Sequence, residues 1–178
     1  MIRRRLLLAS TALAAALSAC TTLTPPSPPG DTLSGRIAVK VDAEGNQPAR
    51  SVSAGFELIG SGAAGRLNLT SPLGTVVARA DWSPSDVRLV TSDGEIRYGD
   101  LDTLTREMLG ESLPVAALFD WLRGRPWSGA PSEPTMPPAE AGFDQLGWSV
   151  RLGRLSDGWV TAQRTRLPKV TVRAQVEP

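Results

Sequence analysis

The chain has 178 residues, with 19 Lys+Arg against 18 Asp+Glu, no histidine and one cysteine. That composition excludes an intrachain disulfide, zinc sites of the usual Cys/His kind and His-based triads, so neither a metal nor a catalytic centre is expected. The near-neutral charge also offers no basic stripe for nucleic acid, which leaves a binding protein rather than an enzyme as the expectation.

Residues 1–19 read as a signal peptide. Met1-Ile2-Arg3-Arg4-Arg5 is a positive n-region and Leu6 to Leu17 a short apolar stretch. About 12 residues give a helix of roughly 18 Å, too short for a hydrocarbon core of about 30 Å. The segment therefore reads as an export signal, not a spanning helix. A twin-arginine route is a weaker alternative, because paired arginines alone are too common to decide it. Leu17-Ser18-Ala19-Cys20 closes the segment. Small residues before the cut suit a narrow peptidase cleft, and the Cys20 thiol is a nucleophile for lipid attachment. The tetrad resembles the bacterial lipobox, which implies diacylglyceryl transfer to Cys20, cleavage before it, and acylation of its new amino group. Thr21, where an aspartate could stand, is similar to the pattern that sends a lipoprotein to the outer membrane. Without Arg3, Arg4 and Arg5, the basic residues fall from 19 to 16 against 18 acids. Residues 20–34 are expected to be the lipidated cysteine and a Pro-rich tether, in which Thr21 to Gly30 (TTLTPPSPPG) span about 30 Å at ~3.1 Å per residue.

Residues 35–178 are expected to form one domain. Ile37, Val39 and Val41 alternate with polar neighbours, as do Val52, Ala54, Phe56 and Leu58. Similar runs follow at Leu67–Leu69, Val76–Ala80, Val87–Leu89, Ile96–Tyr98, Trp148–Leu152, Trp159–Thr161 and Val170–Val176. Period two with Gly, Pro, Asp and Ser between the runs predicts antiparallel strands with one buried face. Roughly nine such runs are enough to curl into a barrel or near-barrel. Most span about five to eight residues, against the ~9–11 of a membrane-spanning strand.

Two helices interrupt the strands. Asp100 is a plausible N-cap ahead of Leu101, Leu104 and Met108, and Gly110 ends that segment. Pro114 suits a first helical turn, Val115, Leu118, Phe119 and Leu122 form an apolar stripe, and Gly124 follows as a stop. Helices this short should lie against the sheet. Ser128 to Pro138 reads as a Pro-rich loop with little regular structure.

Gly60-Ser61-Gly62-Ala63-Ala64-Gly65 matches G-x-G-x-x-G, but Arg66 to Thr70 alternate like a strand where a dinucleotide site needs a helix. A hairpin loop is the better reading, and no cofactor is expected. Asn68-Leu69-Thr70 matches a glycosylation acceptor, which carries little meaning behind a lipobox. In Ser71-Pro72-Leu73-Gly74 the Ser, Pro and Gly positions fit a type I turn. Leu73 then stands where a small polar residue is usual, at a hairpin tip with nothing of its own strand pair to pack on.

Leu67 to Gly74 resembles the corresponding stretch of the LolB family of outer-membrane lipoprotein receptors. So do Gly35-Arg36-Ile37-Ala38-Val39, Trp121-Leu122-Arg123-Gly124 with Pro126, Phe143 to Val150, and Leu167-Pro168-Lys169. The resemblance covers about residues 31–178. The family commonly carries a tryptophan shortly after the position of Phe56, and Leu58 stands there here. The resemblance implies a mainly β fold, an open antiparallel β-barrel with a small helical lid over an apolar cavity. It implies a monomer facing the periplasm from the cell outer membrane, accepting acylated lipoprotein cargo from a LolA-like periplasmic carrier and inserting it into outer-membrane lipid. Pro72, Leu73 and Gly74 match the family's protruding membrane-insertion loop. Phe56, Leu58, Trp82, Leu104, Met108, Leu118, Trp121 and Trp148 are the expected lining of the cavity or lid. Each of the five tryptophans also stands open to reading as ordinary core. The alternative is a non-transferring lipid-binding or structural lipoprotein on the same scaffold.

Overall fold

The computed structural model describes residues 30–178. The signal peptide, Cys20 and most of the tether lie outside the described residues. Strands β1 (Asp31–Val41), β2 (Arg50–Gly60), β3 (Gly65–Thr70), β4 (Val76–Ser83), β5 (Asp86–Thr91) and β6 (Gly94–Tyr98) come first. Helices α1 (Leu101–Leu109) and α2 (Val115–Trp121) follow. The chain then returns through β7 (Ser132–Pro134), β8 (Gly142–Gln145), β9 (Trp148–Arg151), β10 (Trp159–Arg164) and β11 (Val170–Val176).

All eleven strands join one antiparallel sheet in the order β6-β5-β4-β3-β2-β1-β11-β10-β9-β8-β7. The first and last strands meet in its middle, with Val39 opposite both Val52 and Val172. That register puts the apolar sets of β1, β2 and β11 on one face, as period two requires. The sheet does not close. Its edges are β6 and β7, and the residues joining them carry both helices. The lid is therefore the connection between the two edges. Side chains from the strands and from both helices form one core, which includes Val39, Phe56, Trp82, Leu118, Trp148 and Val172. The architecture is an open antiparallel barrel whose apolar interior lies under two helices.

The sequence reading differs from this fold in four places. Eleven strands replace the expected nine. Ser132–Pro134 pairs with β8 inside the stretch assigned to an irregular loop. Phe143 to Val150, where the expected strand starts only at Trp148, form the β8–β9 hairpin, turned by Leu146 (φ 54°) and Gly147 (φ 74°). Two successive left-handed residues make the tight turn that matches strand twist. Strand β1 also begins at Asp31, so it takes in residues 31–34 of the expected tether.

Strands β1 and β2 run 11 residues each, longer than expected, so strand length does not separate this barrel from a spanning one. Polarity does. The outer face of β3, β4 and β5 carries Arg66, Asp81 and Arg88 in cross-strand register, with Arg66 Nε 2.6 Å from an Asp81 carboxylate oxygen. Arg79 Nε lies 3.1 Å from the other oxygen. A spanning barrel needs an apolar band on that side.

The helix ends follow the sequence signals. The Thr103 N–H donates to Asp100 at 2.6 Å, and Gly110 adopts the left-handed conformation that only glycine takes at no steric cost. Past α2 the Gly124 N–H donates to the Trp121 carbonyl (2.9 Å) and the Arg125 N–H to that of Asp120 (3.1 Å), the paired bonds of a Schellman stop.

Candidate functional site: the lidded barrel interior and the β3–β4 turn

Seven of the eight side chains expected in the cavity or lid converge on the core: Phe56, Leu58, Trp82, Leu104, Leu118, Trp121 and Trp148. Leu58 is buried where the family pattern has a tryptophan. Met108 departs from expectation, since 47% of it is exposed. Helix α1 packs through Leu101, Leu104, Thr105 and Leu109; Met108, four residues after Leu104, shares their face but stands in the last turn of the helix. Of the other two tryptophans, Trp127 packs on the edge of the core, while Trp159 lies under the Arg154 guanidinium at 5.6 Å.

Helix α2 reaches furthest into the barrel. Trp121 is wholly buried, its ring 6.0 Å from Trp148 and 6.5 Å from Phe143. Phe119 meets Trp82 edge-on at 5.7 Å. The lid side chains thus occupy the interior, and rigid rings on both lid and wall set its shape.

Few polar contacts fasten the lid. Gln145 on β8 sits on the inward parity of Phe143 and is 3% exposed. Its carbonyl accepts from the Trp121 indole N–H at 2.8 Å and from the Trp127 backbone N–H at 2.9 Å. Its amide donates to the carbonyls of Trp127 (2.7 Å) and Ala130 (2.8 Å). One side chain therefore satisfies α2 and the segment leading out of it. Arg164 on β10 is also 3% exposed and points inward with Ala162 and Val160. It donates to Glu111, in the turn between the helices, at 2.8 Å, and to the Pro168 carbonyl at 3.1 Å. A third contact is steric. The loop after Gly60 lies against α2 so closely that a Cβ on Gly62 would fall 2.8 Å from the Ala116 carbonyl oxygen. The Trp82 indole N–H donates into the same loop, to the Ser61 carbonyl at 3.3 Å.

Sequence reading missed Gln145, Glu111, Arg164 and Gly62 as lid fastenings. A signal did exist for Gln145 and Arg164. Each interrupts the apolar parity of its strand, and an inward polar residue must find a partner.

Ser71 to Gly74 form the expected turn. The Gly74 N–H donates to the Ser71 carbonyl and the Ser71 N–H to that of Thr75, both at 2.9 Å. Gly74 has φ 82°, a left-handed position after the turn. Leu73 at its tip is 94% exposed, more than any other large apolar residue described. Val76 and Val77 beside it are 55% and 49% exposed, where the β3–β4 register shifts.

An open cleft of about 820 Å³ lies at the other end of the barrel. Arg36, Arg123, Asp157 and Glu177 line it together with the C-terminal residues. Its charge makes it a poor host for acyl chains. Among the described residues, no group of His, Cys, Asp and Glu could hold a metal ion.

The family model described as outer membrane lipoprotein LolB matches residues 32–177. The chain is 36% identical over 166 residues to the outer-membrane lipoprotein LolB of Bordetella petrii, covering 86% of this chain and 82% of that protein. It is 37% identical over 168 residues to that of Thiobacillus denitrificans, covering 89% and 81%. For that of Chromobacterium violaceum the identity is 30% over 161 residues, covering 86% and 84%.

Proposed function

The chain belongs to the LolB family of outer-membrane lipoproteins, and from that membership we propose that it accepts acylated lipoproteins from a LolA-like periplasmic carrier and inserts them into the outer membrane. Residues 1–19 are removed, Cys20 carries the lipid, and the tether holds a monomeric barrel on the periplasmic side. Two or more acyl chains at one cysteine suffice for stable anchoring.

The observation that carries this reading is Leu73, a leucine 94% exposed at the tip of a turn that leaves the sheet. Burying one leucine in lipid contributes ~1.5–3 kcal/mol. That is too little to anchor a protein but enough to bias one end of the barrel toward the bilayer roughly tenfold to a hundredfold.

Acyl chains would enter the interior as the lid withdraws. Each buried methylene contributes about 0.8 kcal/mol, but every lid side chain it displaces gives up a comparable amount. The exchange is apolar for apolar, so the net affinity is modest. That suits a receptor that must hold cargo more tightly than the carrier does and less tightly than the bilayer. The transfer runs downhill and calls for no catalytic group.

The reading is tested by depleting the protein in cells. Newly exported lipoproteins should then accumulate on the carrier in the periplasm. Normal outer-membrane arrival in depleted cells would contradict it.

A further inference from the structure

Strand connectivity places the β1–β2, β3–β4, β5–β6, β8–β9 and β10–β11 turns at one end of the barrel. Two backbone bonds tie neighbouring turns there. The Asp42 N–H donates to the Lys169 carbonyl at 2.9 Å, and the Thr165 N–H to the Gly147 carbonyl at 3.0 Å. This end carries Leu73, Val76 and Val77, and also Leu146 (47% exposed) and Leu167 (70% exposed). At the opposite end Met136 (73%), in the β7–β8 turn, and Leu155 (37%) are the exposed large apolar residues described that stand in turns. The β3–β4, β8–β9 and β10–β11 turns thus each present an exposed leucine on one rim, at separate tips rather than on a continuous face.

The β10–β11 turn differs from its neighbours in charge. Arg166, Leu167 and Lys169 are all exposed. Neither cation has an ion-pair partner among the described residues. The nearest acid on the adjoining loop, Asp42, is taken by Lys40 at 2.7 Å. Glu44 lies further along that same β1–β2 loop, and Asp93 on the β5–β6 turn. An exposed leucine between two free cations matches a bilayer interface, where acyl chains lie just beneath anionic phosphates. Along the sheet, four strand spacings separate the middle of this turn from that of the β3–β4 turn, about 19 Å.

We propose that Arg166, Leu167 and Lys169 form a second membrane contact, which binds anionic phospholipid and works with Leu73 to seat the barrel rim on the bilayer. This rests on the reading of Leu73 as a membrane contact. One leucine can tether the rim but leaves it free to pivot. Two contacts on one rim fix its tilt, so that cargo leaving the barrel faces lipid.

The test uses the full chain, preloaded with a labelled acylated lipoprotein and mixed with vesicles. One set contains phosphatidylethanolamine and phosphatidylglycerol, the other phosphatidylcholine alone. Leu167→Glu should melt with wild type and slow delivery to both sets roughly tenfold or more. Arg166→Glu with Lys169→Glu should slow delivery to the anionic vesicles alone, by about fivefold or more for each charge. If Leu167→Glu lowers the melting temperature, Leu167→Ser carries the same comparison. Wild-type delivery by these variants, alongside a defect in Leu73→Glu, overturns the second contact and leaves the Leu73 reading intact. Wild-type delivery by all of them overturns both. Variants that deliver preloaded cargo normally but no longer accept it from the carrier would make the turn a protein-docking site, which also overturns the proposal.

Discussion

Trp121 on the lid and Gln145 on the barrel wall are joined by a 2.8 Å hydrogen bond inside a mostly apolar interior. Gln145 makes three further bonds to Trp127 and Ala130, so one wall residue holds both the end of α2 and the chain leaving it. The lid is seated by polar bonds that can be remade, and in the proposed uptake of cargo its apolar side chains give way to acyl groups.

Gln145→Leu should destabilise the fold by about 2–3 kcal/mol, because it leaves buried donors and carbonyls of Trp121, Trp127 and Ala130 without partners. Urea titration followed by tryptophan fluorescence measures this directly. A loss below about 0.5 kcal/mol would show that water or rearrangement replaces the side chain.

The Arg164–Glu111 pair should act as a latch at the other end of the lid. The Arg164 side chain is 3% exposed and that of Glu111 23%, so removing the carboxylate strands a mostly buried cation. Glu111→Gln should cost about 1–3 kcal/mol, less than a fully buried pair. It should also speed uptake of a fluorescent fatty acid in stopped flow. A destabilised variant with unchanged uptake would place the latch outside the opening step.

Gly62→Ala tests the steric contact. Its Cβ would meet backbone atoms of Ala116 at 2.8 and 2.9 Å, and neither group is a flexible side-chain end. Displacing α2 should cost about 1–3 kcal/mol. Stability equal to wild type would mean that the loop moves and the lid does not depend on it.

Much of this was legible in the sequence wherever the physics is local. Asp100, Gly110, Gly124 and the Ser71–Gly74 turn act within a few residues, and each sits where its chemistry indicates. The long apolar alternations of β1, β2 and β11 were legible for the same reason. Strand β7 was not, because three residues ending in proline carry no period. The β8–β9 turn hid behind Leu146, an unusual residue for positive φ. The Arg164–Glu111 pair spans 53 positions, and no local pattern announces a contact that the closing sheet creates. Met108 keeps the helical spacing of Leu104 and Thr105, so no periodicity marks its exposure in the last turn of α1.

The α1 cap gives a pH dependence. Hydrogen bonding from the Thr103 backbone N–H is the main cause that holds the Asp100 carboxyl below its usual value of 3.8. A group depressed in the folded state contributes stability above its unfolded pKa and loses it as pH falls through the folded one. Thermal melts from about pH 5 down to pH 2 should therefore show a smaller decline for Asp100→Asn, which keeps a capping oxygen without the charge. Equal declines would place the acid sensitivity elsewhere.

The central claim, that the barrel receives cargo and the rim delivers it, is tested most directly by following one lipoprotein through both steps with Leu73→Glu. Leu73 is 94% exposed, so the variant should melt within a degree or two of wild type, matching the small effects of exposed positions. It should take the lipoprotein from the carrier at the wild-type rate and then fail to release it to vesicles, because an ionised carboxylate resists leaving water. Release at the wild-type rate would contradict the account.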